Sequence, residues 1–384
     1  MISDSDFAGY YTAACLVSIG QSTDIYAEAT QDVDPTVDHA DPNSVFARNA
    51  RAHGLSGEAL YDYPPTLADL LTPLSMLSPR TALIIWELTN LVALFLTGVF
   101  MIRMLAIQSL GAKSLVLAFL VLFRPTISCL SYGQIAILLT FLLTAGLYLY
   151  SQGRTTSAGF FFALAVAIKL IPLIVIVPFL AWRDWKILRA MALWCAAILI
   201  ALLAINGRDA LSLYFLHELP KMGTKAIDPE NRSIGVALQI LWRDSGLKAS
   251  QAALIQTGKL LSILVLGYAG WLSRVRYEKL SSPISKIEIV SVFLLFSCCL
   301  SPVSWSFSYV LGTPALIMLG KRSLEKRSST FDTMLLILFV VAITTATIPF
   351  LVVMTSVIGV ALGVASLLRL NAGQDQIGPS TAVA

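Results

Sequence analysis

The sequence predicts an all-α polytopic membrane protein, and three observations predict it. The first is composition. Of 384 residues, 57% are hydrophobic and 13% are charged, whereas soluble domains carry roughly a quarter charged residues. The second is distribution. The apolar residues fall in runs of about 20, the length that crosses roughly 30 Å of hydrocarbon. The third is the segregation of charge. Residues 1–80 hold eleven acids and three bases, a net of −8, and the remainder hold 24 bases and 12 acids, a net of +12. An acidic polar segment therefore precedes a basic apolar body. The alternating ten-residue pattern of barrel strands is not visible.

Candidate spans cover residues 82–105, 114–126, 133–150, 188–205, 250–272, 287–300, 307–320, 331–347 and 350–369. The stretch 157–181, "SAGFFFALAVAIKLIPLIVIVPFLA", needs arbitration. Arg154 precedes it, and Arg183, Lys186 and Arg189 follow it. Basic loops stay cytoplasmic, so this stretch crosses an even number of times. Lys169 and Pro172 stand at its middle, and proline disfavours a continuous helix. The reading is a hairpin of two short helices with Lys169 at its outer tip. The loops carrying Arg103 and Lys113, Arg274 to Lys286, and Lys321 to Arg327 then all become cytoplasmic. Residues 1–80, 123–132, 206–249 and 301–305 become extracytoplasmic. This gives eleven crossings. A helix preceding residue 1 would give twelve and would account for translocation of the acidic segment, since Met1 is followed by no apolar signal-like run. Three regions result: an acidic extracytoplasmic loop domain over 1–80, a membrane body over 81–370, and a polar, disordered cytoplasmic tail over 371–384.

Local signals fill in the outer segments. Residues 6–19 read as a helix at the membrane surface, capped by Ser3, Asp4 or Ser5 and ended by Gly20. In "YDYPPTLADLLTPLSML", Pro64 and Pro65 fix an extended approach to a short helix, and proline at the first helical position loses no hydrogen bond. Residues 30–57 read as an irregular acidic loop. The 206–249 segment contains two amphipathic pieces, "LSLYFLHELPKMG" and "NRSIGVALQILW", expected to lie on the bilayer. The five cysteines lack metal-site spacing and read as small core residues. His39, His53 and His217 show no ligand spacing either.

The landmarks occur in a definite order. A "DFAGYY" helix is followed by "IY" at 25–26, "YDYPP" at 61–65, "PL" at 73–74, Trp86 and Asn90. Then come "SYGQ" at 131–134, "AGFFFALAVAIKLIP" at 158–172, "NRS" at 231–233 and "SPVSW" at 301–305. Over roughly residues 4–320 this order resembles glycosyltransferase family 87. The resemblance implies a C-type glycosyltransferase helical bundle with short extracytoplasmic helices, acting at the outer face of the membrane on a polyprenyl-phosphate sugar, often mannose. It also implies a general base on the first outer loop, which by motif position is Asp6. Two positions depart from the family pattern: Phe307 stands where a His is frequent, and Ala136 where an Asn is frequent.

Each candidate has a plain structural alternative. A carboxylate within hydrogen-bond reach of the acceptor hydroxyl can deprotonate it as the sugar C1 is attacked; Asp6 is otherwise an acid favoured by a helix N-terminus. Tyr10, one turn on, shares its face. Asp4-Ser5-Asp6 also spells DxD, but a lipid monophosphate needs metal less than a pyrophosphate does, so no metal or other cofactor is expected. Lys169, in an apolar hairpin, is a functional candidate by default that would neutralise the departing phosphate; otherwise it snorkels. Arg124 and Arg232 are weaker candidates for the same phosphate. Tyr10, Tyr11, Tyr63, Gln134, Asn231 and Trp305 are the candidate substrate contacts. For Tyr61, Tyr63, Trp86, Trp242 and Trp305 taken singly, an interfacial belt is the favoured reading, and the proline-fixed "YDYPP" stretch is the exception.

The expected function is transfer of a hexose, mannose by resemblance, to a lipid or glycan hydroxyl. The expected setting is the inner membrane of a bacterial cell, with lipids and no nucleic acid as partners. The rival class is a transporter or lipid flippase. That class tends to show broken helices in matching halves, and this sequence shows one broken hairpin.

Overall fold

The computed structural model describes residues 5–26, 41–222, 231–244, 251–277, 280, 282–325, 328–344 and 349–369. Asp4, residues 27–40 and the expected C-terminal tail lie outside the described residues. Among those described there is no strand. The outer segment contributes α1 (Asp6–Ser18), α2 (Val45–Ala52) and α3 (Pro65–Leu71). Then follow α4 (Pro79–Met104), α5 (Leu110–Leu122), α6 (Arg124–Tyr132), α7 (Ala136–Ser151), α8 (Thr155–Ile168), α9 (Ile176–Trp182), α10 (Trp185–Leu213) and α11 (Leu219–Met222). The last are α12 (Ile234–Asp244), α13 (Gln251–Tyr277), α14 (Pro283–Leu300), α15 (Thr313–Leu324), α16 (Thr330–Thr344) and α17 (Pro349–Arg369).

Four helical stretches are long and apolar enough to cross a membrane, at Pro79–Met104, Trp185–Lys221, Ala253–Tyr277 and Pro283–Leu300. A fifth counts if α5 and α6, bent by 47°, form one span. Eleven crossings are therefore not established. The other apolar helices have 10–17 residues. The 16 residues of α7 reach about 24 Å, short of a roughly 30 Å hydrocarbon core.

The hairpin over 157–181 is present. A straight helix would separate Phe162 and Phe179 by about 25 Å. Their ring centroids lie 5.8 Å apart. Tyr150, at the end of α7, touches Phe179 at 5.2 Å and donates to Asp184 Oδ2 at 2.7 Å. The ends at Arg154 and at Asp184 are thus on one side, and the chain turns back at Lys169. Pro172 stands in a 3-10 turn, Ile171–Val175, just past the break. Small residues let α8 pack tightly on its neighbours, the usual solution where lipid and protein are equally apolar. A Cβ built on Gly159 would lie 2.6 Å from that of Ala190 in α10.

Two expectations about the outer segment need correction. Helix α1 has the expected bounds and ends before Gly20, with Gln21 N donating to Leu16 O. It is not a surface helix, because every residue from Phe7 to Leu16 is buried. A helix apolar all round belongs inside a core, and α3, α2 and the start of α4 cover it. Residues 45–52, read as irregular loop, form α2, whose N-cap Ser44 accepts from Ala47 N at 3.1 Å. In the 206–249 segment, α12 buries Val236, Ala237 and Ile240 and packs on α13 and α17.

Two outcomes are expected. In a cysteine-free background, single cysteines at positions 154 and 185 react with an impermeant thiol reagent from the same face of sealed vesicles; reaction from opposite faces would break the hairpin. Gly159→Leu overpacks the α8–α10 contact by about 1–3 kcal/mol and lowers the thermal midpoint of the purified protein, while Gly153→Ala, at an open turn, does so less.

Candidate active site

The site is built from the N-terminal end of α1. Phe7 stacks on Trp86 of α4 at 6.1 Å, and Tyr10 meets the same indole edge-on at 6.0 Å. Trp86 Nε1 donates to Gly133 O at 2.8 Å. Gly133 ends α6 in the left-handed region, at φ 67°, and a Cβ there would stand 2.8 Å from Phe7 Cβ. Glycine is needed for both the backbone turn and the close approach. This contact delivers Gln134 beneath α1. Its backbone N–H donates to Cys129 O at 2.8 Å, and its own carbonyl accepts from Cys129 Sγ at 3.2 Å.

Gln134 Oε1 lies 3.1 Å from Tyr10 Oη and 3.2 Å from Tyr63 Oη, and the two phenol oxygens are 3.0 Å apart. Lys169 Nζ completes the group. It lies 3.4 Å from Tyr63 Oη and 4.8 Å from the centre of that ring. Two hydroxyl protons and one ammonium serve three oxygens. Lysine donates to Tyr63, Tyr63 donates to Gln134, and Tyr10 donates to one or the other. Burial first, then the neighbouring phenol and the Asp6 carboxylate, push the Tyr10 phenol well above its ordinary pKa. Burial first, then Asp6, do the same for Tyr63. Both therefore act as neutral donors.

Tyr63 is set by its own segment. Tyr61 Oη donates to Pro64 O at 2.7 Å and accepts from Ala68 N at 3.0 Å, and Tyr26 Oη donates to Tyr63 O at 2.5 Å. Pro65 opens α3 at its first position, as expected. Lys169 follows the last residue of α8 in extended conformation, φ −151° and ψ 134°. Its charged neighbours are the carboxylates of Asp6 and Asp62. Asp6, Tyr10, Tyr63, Gln134 and Lys169, drawn from four distant parts of the chain, thus form one cluster. Asp62 is the member that sequence reasoning missed. The signal was an acid between two tyrosines in a proline-fixed run.

The other candidates lie elsewhere. Tyr11 faces away, donating to Leu77 O at 2.7 Å and packing on His53 at 5.7 Å. Arg124 is exposed at the start of α6. Arg232 is buried among backbone groups. Its Nη1 donates to Ile343 O at 3.0 Å, its N–H to Ser304 O at 2.7 Å, and its carbonyl accepts from Tyr309 Oη at 3.1 Å. Asn231 ties "NRS" to "SPVSW", accepting from Ser304 N at 2.9 Å and donating to Pro302 O at 3.2 Å. Trp305 lies beside Phe307 at 6.4 Å, and Phe307 beside Tyr132 at 6.3 Å. That turn borders the cluster through Cys298, which donates to Ser308 O at 3.2 Å and is an electrostatic neighbour of Lys169. The paired Asp4–Asp6 metal reading falls outside the described residues, since Asp4 is not among them.

The arrangement offers a carboxylate, an ammonium and neutral hydroxyl donors in one place, suited to a reaction that removes a proton and releases an anion. The family model of glycosyltransferase family 87 matches residues 61–302; α1 precedes that match. The chain is 27% identical over 285 residues to a polyprenol-phosphate-mannose-dependent alpha-(1-2)-phosphatidylinositol mannoside mannosyltransferase of Mycobacterium tuberculosis, covering 70% of this chain and 64% of that protein. It is 24% identical over 266 residues to the corresponding pentamannoside mannosyltransferase of Mycolicibacterium smegmatis, covering 67% and 60%. It therefore spans somewhat under two thirds of the length of these relatives. No solved structure matches it. With the match covering more than half of its residues, this chain belongs to glycosyltransferase family 87.

Proposed function

We propose that this chain is a bacterial inner-membrane glycosyltransferase. It moves a hexose, mannose, from a polyprenyl phosphate to a hydroxyl of a lipid or glycan acceptor at the extracytoplasmic face. The observation that carries the reading is the gathering of Asp6 and Lys169 around Tyr63, at the turn of the hairpin. Family membership and the printed activities of the two relatives support the donor class.

In this reading Asp6 accepts the proton of the acceptor hydroxyl as that oxygen bonds to C1 of the sugar. The C1–O bond to the lipid phosphate breaks, its electron pair stays with the phosphate, and the anomeric centre inverts. Lys169 stabilises the departing phosphate with charge and a charge-assisted hydrogen bond. Tyr63 fixes the ammonium through its ring and hydroxyl. Tyr10 and Gln134 hold Tyr63. The leaving group is a monophosphate ester and its charge is met by Lys169, so the reading calls for no metal or other cofactor.

Purified protein in lipid, given labelled polyprenyl-phosphate mannose and a phosphatidylinositol mannoside acceptor, is expected to form the extended product. Asp6→Asn keeps shape but cannot take the proton, and kcat is expected to fall by about 10²–10⁴-fold while donor binding persists. Lys169→Met removes one charge-assisted contact, worth roughly 1.5–3 kcal/mol, and kcat/KM is expected to fall about tenfold to a hundredfold. Thermal melts of both variants exclude unfolding as the cause. Transfer by Asp6→Asn at the parent rate would remove the mechanism and favour a transporter.

A further inference from the structure

Away from the lysine, α3 meets α10 through one polar side-chain pair. Asn206 Nδ2 donates to Asp69 Oδ2 at 2.8 Å. Asn206 is 8% exposed. The pair's remaining oxygens, Asp69 Oδ1 and Asn206 Oδ1, are both buried and neither has a hydrogen-bond donor. A carboxylate oxygen and an amide oxygen are both acceptors, and buried acceptors without donors carry a desolvation penalty. A proton on Asp69 Oδ1 turns one of these two acceptors into a donor.

We propose that Asp69 is protonated, that its Oδ1–H donates to Asn206 Oδ1 while Asn206 Nδ2–H donates to Asp69 Oδ2, and that this neutral two-bond pair latches the tyrosine run 61–63 against α10. Carboxylic acid and carboxamide match each other in this way, each giving one hydrogen bond and taking one. The surroundings favour the neutral form. Burial raises the Asp69 pKa and only the Asn206 amide opposes it. The groups that its charge reaches are the phenols of Tyr26 and Tyr61. On α10, Arg208 and Asp209 lie beyond the pair and are exposed. Helix α1, which packs on α3, carries Asp6, Tyr10, Tyr11 and Cys15. The chain leaving α8 presents Lys169, whose charged neighbours are Asp6 and Asp62.

The position gives the latch its use. Gly207, directly after Asn206, has φ 75° and ψ 174° and interrupts α10, a conformation essentially restricted to glycine. The pair fixes α3 at that break. The neighbour of Asp69, Ala68, donates to Tyr61 Oη, and Tyr61 in turn donates to Pro64 O. Asp69 is thus a positioning residue for Tyr63. Its proton is lost as pH rises through the raised pKa, after which two acceptors face each other. The contribution of the latch is therefore present at low pH and lost as pH rises.

The test uses the purified full chain and needs no sugar transfer, so it stands apart from the transferase reading. Asp69→Asn replaces O–H···O by N–H···O and closes the pair at every pH. The infrared spectrum of the parent is expected to show a protonated carboxyl C=O band that Asp69→Asn lacks and that Asn206→Ala shifts. From mildly acidic to mildly alkaline pH, the thermal midpoint of the parent is expected to fall relative to Asp69→Asn by about 1–4 °C. Should Asp69→Asn fail to fold, the band shift in Asn206→Ala carries the test. An unchanged carboxyl band in either variant, or parallel pH dependence in parent and Asp69→Asn, would overturn the proposal.

Discussion

The ammonium of Lys169 is the constraint on which the outer half of this protein is built. A charge in an apolar hairpin is tolerated only with partners. Here the partners come from everywhere except the hairpin. Tyr63 supplies ring and hydroxyl, and Asp6 and Asp62 supply opposite charge. Each partner then needs its own support. Tyr63 is held by Tyr10, Gln134 and Tyr26. Gln134 is held by the end of α6, and α6 by Trp86 and Phe7. The burial of α1 follows from this chain of dependence, because a helix lying on the surface could not bring Asp6, Phe7 and Tyr10 to three different elements.

That dependence also separates what was legible in the sequence from what was not. The hairpin was legible because its evidence is local: basic residues at both ends and a proline past the lysine. The bounds of α1 were legible from Gly20. Its depth was not, since Tyr10 meets partners 53 and 124 residues away and no pattern within the helix announces them. Asp6 and Lys169 were picked out separately, one through family position and one as a charge among apolar residues. Their proximity belongs to the fold. Asp62 was overlooked because an acid beside prolines reads as ordinary loop. The crossing count is left open for a different reason. Apolar runs locate helices well, but α7, α8 and α9 are too short for length alone to say how they traverse a bilayer.

The motifs "NRS" and "SPVSW" illustrate a second limit. Both stood out in the sequence, and both are polar enough to suggest ligand contact. In the fold Asn231 and Arg232 spend their hydrogen bonds on Pro302, Ser304 and Ile343. They fasten the 301–305 turn to α16. That turn leads into the 3-10 turn Ser306–Gly312, against which Cys298 and hence Lys169 are set. Removing either residue would loosen the attachment of that turn.

Charge balance within the cluster bears on how the proposed reaction begins. Asp6, Asp62 and Lys169 together carry a net charge of −1 when all three are ionised. A donor phosphate approaching Lys169 has to compete with two carboxylates already in electrostatic reach. Tyr10 and Tyr63 add no negative charge of their own here, because their phenols stay neutral. On the proposed function, a phosphate that wins Lys169 frees Asp6 from the ammonium, and an acid freed of its cation is a stronger base. Donor binding would thereby prepare the group that deprotonates the acceptor, with Asp62 left to hold the lysine in place. On that proposal the same acid serves as counter-ion before the donor arrives and as base afterwards, a double role that a place on α1 beside the hairpin allows.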